Sequence, residues 1–203
     1  MNQSLDERLN QILPRISSPE FLSGDGIGNE IACYIFDYDP PDELRVREHI
    51  DLMTTRFETH HKDLSVLHLN MLDVCKGYLE KRSILDRVPA MHERKGDAGV
   101  IKALVGLLAA EKLSRFIAEE HNLVDYDLVL LSGVGSMWPV VRAHSLLNTL
   151  HTVMDLKPVV MFYPGSYDGT TLRLFGQVTS QDTTAEAKSY YRAFILVPRE
   201  THA

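Results

Sequence analysis

Cysteine is scarce in this 203-residue sequence: Cys33 and Cys75 are the only two. That excludes a disulfide framework, and Cys33 sits in an apolar run where a small buried thiol is expected. Long apolar runs are missing too, since no stretch approaches the roughly 20 residues that span a bilayer. The N-terminal residues have neither the basic start nor the apolar centre of a signal peptide, so a cytoplasmic location is expected. Runs of like charge and low-complexity tracts are also lacking, which argues against disorder. Positive charge is in deficit, with 21 Lys and Arg against 28 Asp and Glu. A net charge of −7 opposes broad attraction to nucleic acid, which depends on cations displacing condensed counterions.

What is present is ordinary for a globular protein: 44% apolar and 24% charged residues, in a chain long enough to bury roughly 70% of its unfolded surface. One domain over 1–203 is expected, with an N-terminal helix at 4–16 opened by a Ser4-x-x-Glu7 capping box and a core at about 21–197. Ile31 to Phe36 is continuously apolar and reads as a strand covered on both faces, ending at Asp37-Tyr38-Asp39-Pro40-Pro41. From Asp42 to His60, Val46, Ile50, Met53 and Phe57 fall at spacings of four, three and four, which predicts an amphipathic helix. A short strand within Leu64–Leu72 and a helix over Asp73–Arg82 follow. One long helix is expected from Ala98 to His121, then a strand at Asp127–Leu131 and a helix from near Pro139. Strands are expected at Pro158–Tyr163, closed by Pro164-Gly165, at Thr171–Phe175 and at Tyr191–Val197. This alternation predicts an α/β fold, a three-layer Rossmann-like or P-loop-like domain with a mostly parallel sheet, lacking a complete Walker A motif.

Gly133-Val134-Gly135 falls between a predicted strand and a predicted helix, where backbone amides can cradle an anion at the positive helix end. A phosphate loop would follow its glycines with Lys-Ser/Thr, and Met137-Trp138 stands there instead, which favours a tight turn over nucleotide binding. Gly24-Asp25-Gly26-Ile27-Gly28 precedes a strand instead of following one, so it reads as a turn or a partner-touching loop. Asp37 and Asp39 lie just past a predicted strand end, where open α/β sheets hold metal-binding or acid–base carboxylates; an ordinary loop and cap role is the simpler reading. The nine histidines show no zinc spacing, and His144 with His151 could share a helix face without completing a tetrahedral site. Arg142 and Arg173, the latter after Tyr167-Asp168-Gly169, suit anions or interfaces equally. Tyr190-Tyr191-Arg192 has the composition of a contact patch. Ser132-Gly133-Val134-Gly135-Ser136 is not a nucleophile elbow, and no metal or cofactor is assigned.

Taken together, Phe21-Leu22-Ser23-Gly24-Asp25-Gly26-Ile27-Gly28-Asn29-Glu30, Tyr34-Ile35-Phe36-Asp37-Tyr38, Gly133-Val134-Gly135-Ser136, Arg142-Ala143-His144 and Phe162-Tyr163-Pro164-Gly165-Ser166-Tyr167-Asp168-Gly169 resemble the BrxB family, the small B component of bacterial BREX phage-exclusion systems. Tyr191-Arg192-Ala193-Phe194 agrees, and the resemblance runs from about Phe21 to Val197. It implies a core, non-enzymatic member of an antiviral defence system that pairs an adenine methyltransferase with ATPase and alkaline-phosphatase-like PglZ components. The PglZ-type protein is the direct partner it points to. It supplies no catalytic residues. The contact candidates are therefore positional: Asp37, Asp39, Gly133, Gly135, Arg142, His144, Asp168, Arg173, Tyr191 and Arg192, on loops 23–29, 37–42, 133–137 and 165–173 and beside the last strand. The alternatives are a degenerate nucleotide-binding or phosphoryl-transfer module using Gly133, Gly135, Arg142 and Asp37, and an accessory DNA-contacting subunit.

Overall fold

The computed structural model describes residues 4–23, 33–154, 157–176 and 193–199. The capping box forms as expected: Ser4 Oγ accepts from Glu7 N (3.2 Å) and Glu7 Oε2 accepts from Ser4 N (2.6 Å). The N-terminal helix is nevertheless two pieces, α1 (Leu5–Asn10) and α2 (Ile12–Ile16), followed by α3 (Pro19–Ser23). Pro14 explains the break, because it has no N–H to give Asn10 and its ring crowds that carbonyl.

Strand β1 (Cys33–Tyr38) leads through a 3-10 turn at Pro40–Asp42 into α4 (Glu43–His60). Val46, Ile50, Met53 and Phe57 are the buried residues of α4, the four that the spacing singled out. Next come β2 (Val66–Asn70), α5 (Met71–Lys81), α6 (Val88–Leu107), α7 (Ala110–Glu120), β3 (Leu128–Ser132), α8 (Ala143–Met154), β4 (Val159–Tyr167), β5 (Leu172–Leu174) and β6 (Ala193–Ile195). The sheet runs β2-β3-β4-β1-β6 with every neighbouring pair parallel; β5 alone is antiparallel, as a hairpin on β4. Helices cover both faces. Phe36, Leu128, Leu130 and Phe162 pack with α1, α2 and α4 on one side, while Leu131 and Met161 pack with α5, α7 and α8 on the other. This is the three-layer Rossmann-like architecture, and its strands are buried on both faces as continuous apolar runs require.

Several boundaries differ from expectation for local reasons. The single helix expected over 98–121 is two, broken where Ala109 is extended and Leu108 turns into the core at 1% exposure. The break lets α7 bury Leu113, Phe116 and Ile117, while α6 buries no residue and is itself kinked at Gly96 (φ 63°). The helix expected from Pro139 begins at Ala143, because the amides of Val140 and Val141 both bond to Met137 O and the helical ladder starts only with Leu146 N to Arg142 O. Strand β4 runs through Pro164-Gly165: it leaves its parallel partners there and continues as the hairpin with β5, with Pro164 O accepting from Phe175 N at 3.0 Å. Residues 31–32 and 191–192 of the expected first and last strands lie outside the described residues.

Candidate contact rim at the carboxyl edge

Because β1, β2, β3 and β4 are parallel, the loops that follow them leave from one edge of the sheet. Asp37 belongs inside β1, not beyond its end as the sequence suggested, and it is 4% exposed. Arg8 of α1 donates from Nη2 to Asp37 Oδ1 (2.9 Å), and also bonds Asp37 O and Val197 O. Arg199 Nε lies 3.0 Å from Asp37 Oδ2, the oxygen that also accepts from Tyr167 N at 3.3 Å. Both oxygens are thus committed to cations and an amide. Asp37 is a structural clamp joining the N-terminal helix, the central strand, the hairpin and the C-terminal segment, which removes it as a free acid, base or metal ligand. Desolvation depresses the Arg8 guanidinium against the opposing pull of Asp37. Asp39 stays exposed and pairs with Arg199 Nη1 at 2.7 Å, while Arg199 Nη2 reaches Gly165 O at 2.9 Å.

The glycine pair after β3 is occupied by packing. Gly133 has φ 69°, and a Cβ there would lie 2.5 Å from Asn70 Oδ1, the oxygen that caps α5 through Leu72 N. A Cβ on Gly135 would meet Pro164 Cγ at 2.7 Å. Only a three-residue 3-10 turn, Gly135–Met137, follows. The anion nest, the less favoured of the two sequence readings of this turn, lacks the helix that would polarise it, since α8 begins at Ala143. Arg142 is exposed just ahead of α8, and His144 is half-buried in its first turn.

Across the hairpin, Asp168 Oδ2 pairs with Arg173 Nη2 at 2.8 Å, and Asp168 Oδ1 accepts from Thr170 N, Thr170 Oγ1 and Thr171 N. Partial burial raises the Asp168 carboxyl, but these hydrogen bonds and Arg173 outweigh it and bring the pKa down to about 2. Tyr38 Oη donates to Glu43 Oε2 (2.5 Å), Arg47 Nε donates to Glu43 Oε1 (2.9 Å) and Arg47 Nη2 to Ser136 Oγ (3.4 Å). This chain of bonds ties the end of β1 to the loop after β3. The loops 37–42, 133–137 and 165–173 lie at this edge, while most of 23–29 and both Tyr191 and Arg192 lie outside the described residues.

Two rim residues escaped the sequence reading. Trp138 and Phe175 stay 48% and 40% exposed, with ring centroids 6.3 Å apart and planes at 83°. Phe175 has φ 54°, a left-handed conformation that costs a non-glycine residue roughly 1–2 kcal/mol. The signal available was that Trp138 is the sole tryptophan and stands where a soluble protein would ordinarily prefer a polar loop residue. A second unforeseen contact is His68 Nε2 to Ser132 Oγ at 2.8 Å. Ser132 is 4% exposed, and burial holds His68 below its usual pKa against the pull of Asp51 and Asp73.

The family model described as BREX protein BrxB matches residues 67–196. The chain belongs to the BrxB family. The BREX protein BrxB of Escherichia coli O9:H4 (strain HS) is 39% identical over 194 residues, covering 96% of this chain and 92% of the relative. The BREX protein BrxB of Bacillus cereus (strain H3081.97) is 36% identical over 203 residues, covering 96% of this chain and 98% of the relative. The family match takes in the glycine pair, the cis Trp138–Pro139 peptide and the whole hairpin. No solved structure matches. Among the described residues no helix is long and apolar enough to cross a membrane.

Proposed function

We propose that this chain is a non-enzymatic adaptor of a bacterial BREX phage-defence system, working in the cytoplasm, and that its carboxyl rim docks another subunit, the PglZ-type component. The observation that carries the reading is the exposed Trp138–Phe175 pair, in which Phe175 takes a left-handed backbone conformation, on the same rim as the Asp168–Arg173 and Asp39–Arg199 ion pairs. Interfaces concentrate their binding energy in Trp, Tyr and Arg at the centre of a polar rim, and this surface has that make-up. Asp39, Arg142, Asp168 and Arg173 are assigned to its edge. The adaptor reading is also supported by the burial of Ser132 and the commitment of Asp37, which leave neither as an accessible catalytic group. A net charge of −7 argues against a main role on DNA.

The test is co-purification of tagged protein with the PglZ-type protein of the same operon, wild type against Trp138→Ala, Phe175→Ala and Arg142→Glu. Loss of the stoichiometric complex in the aromatic variants, with an unchanged circular dichroism spectrum, is the expected result. A wild-type protein that forms no complex at micromolar concentration would eliminate that partner. Thermal-shift titration with ATP and GTP is expected to leave the melting temperature unmoved; a saturable rise would favour the nucleotide-binding alternative.

A further inference from the structure

The other end of the sheet carries a separate surface. Strand β2 is terminal in the sheet and, among the described residues, pairs only with β3. Ser65 O accepts from Asp127 N at 2.8 Å, so Ser65, and with it Leu67 and Leu69, turns its backbone groups toward β3. By the two-residue period of a strand, Val66 and His68 aim their N–H and C=O groups outward. Soluble proteins blunt such an edge with Lys, Pro, a bulge or a covering element. Val66-Leu67-His68-Leu69-Asn70 has none of the residue devices, and its register with Leu128–Ser132 is unbroken.

Nor is the edge flush with its surroundings. Two clefts of about 590 Å³ each meet at His68, one lined by Asp51, Asp73, Phe116 and Glu120, the other by Phe57, Glu58 and Lys62. Helix α4 forms one wall, and α5 and α7 form the other. Asp51 and Glu58, two turns apart on α4, make no salt bridge among the described residues. Asp73 and Glu120 already have Lys76 and Lys81 beside them. The α4 side therefore carries two carboxylates without a salt-bridge partner, with Lys62 the one cation lining that cleft, while Val74 and the edge of Phe116 give the opposite wall an apolar contact.

We propose that the open edge of β2 is a strand-addition site for an extended segment of a partner protein that alternates basic and apolar residues. Its main chain pairs with Val66 and His68, its basic side chains fall on the Asp51 and Glu58 side, and its apolar side chains fall against Val74 and the edge of Phe116. In strand addition the main-chain bonds supply affinity and the alternate side-chain pockets supply specificity. A second copy of this chain is disfavoured as the occupant, because it would bring two Asp51 and Glu58 walls together.

The test uses a fluorescein-labelled peptide of alternating lysine and valine with the full chain, read by fluorescence polarisation and by amide exchange in NMR. Saturable binding is expected, with slowed exchange at the Val66 and His68 amides, and the double variant Asp51→Lys/Glu58→Lys is expected to weaken it by about tenfold or more. Trp138→Ala is expected to leave it unchanged, which separates this site from the rim. The proposal is overturned if the peptide does not bind, if it binds without protecting those two amides, or if charge reversal has no effect. Sedimentation showing a dimer whose β2 amides are already protected would overturn it in favour of a second copy.

Discussion

Asp37 illustrates how a single residue's role is set by what surrounds it. With Arg8 buried against it and against the Phe36 ring at 4.6 Å, removing the carboxylate strands a cation in the core. Asp37→Ala is expected to destabilise the fold by about 3–5 kcal/mol, measured by urea unfolding. His68 and His49 provide a pH test. Burial is the main cause holding both below the ordinary histidine value of 6.5, so the folded state favours the neutral rings. As pH falls through 6.5 the unfolded chain takes up protons before the folded one does, and stability drops. The full contribution is present above that value and is lost as pH descends toward the folded-state values. Unfolding midpoints at about pH 7.5 and about pH 5.5 should therefore differ, with the acid value lower, and His68→Gln should reduce the difference.

Among the elements, the two helices between α5 and β3 contrast most. Phe116 on α7 is buried edge-on against Tyr78 with centroids 5.4 Å apart, while Val105 on α6 is 46% exposed. Phe116→Ala should cost about 3–5 kcal/mol. Val105→Ala should stay within about 0.5 kcal/mol in the same denaturation assay. The loop after β3 offers a backbone counterpart. Gly133→Ala would place a methyl group on Asn70 Oδ1 and force a left-handed alanine, for an expected loss of about 1–3 kcal/mol. Its thermal midpoint, compared with that of Gly106→Ala, which meets nothing within 4 Å, checks the assignment.

At the scale of the molecule, the parallel sheet gives the protein two unlike surfaces. The carboxyl rim gathers loops from β1, β3 and β4 around an exposed aromatic pair, whereas the β2 edge offers main-chain groups between an acidic wall and one where apolar residues sit among paired charges. On the proposed function the first would dock a folded surface and the second an extended segment, and the two lie at different edges of the sheet. Trp138→Ala and Asp51→Lys should therefore act independently. Each is expected to weaken its own association and to leave the other's affinity within about twofold, since distant sites without shared partners behave additively.

Much of this organisation was legible in the chain itself. Continuous apolar runs marked the doubly covered strands, the four-three-four spacing marked the buried face of α4, and Ser4 with Glu7 marked a helix start. These are properties of neighbours a few residues apart, and local sterics and burial enforce them wherever the segment sits. Asp37 could not be read in the same way, because its partners Arg8 and Arg199 come from opposite ends of the chain and meet it only after folding. The strand order, the open side of β2 and the pairing of Trp138 with Phe175 likewise depend on which elements become neighbours. That choice is made by long-range packing, to which residue spacing is blind.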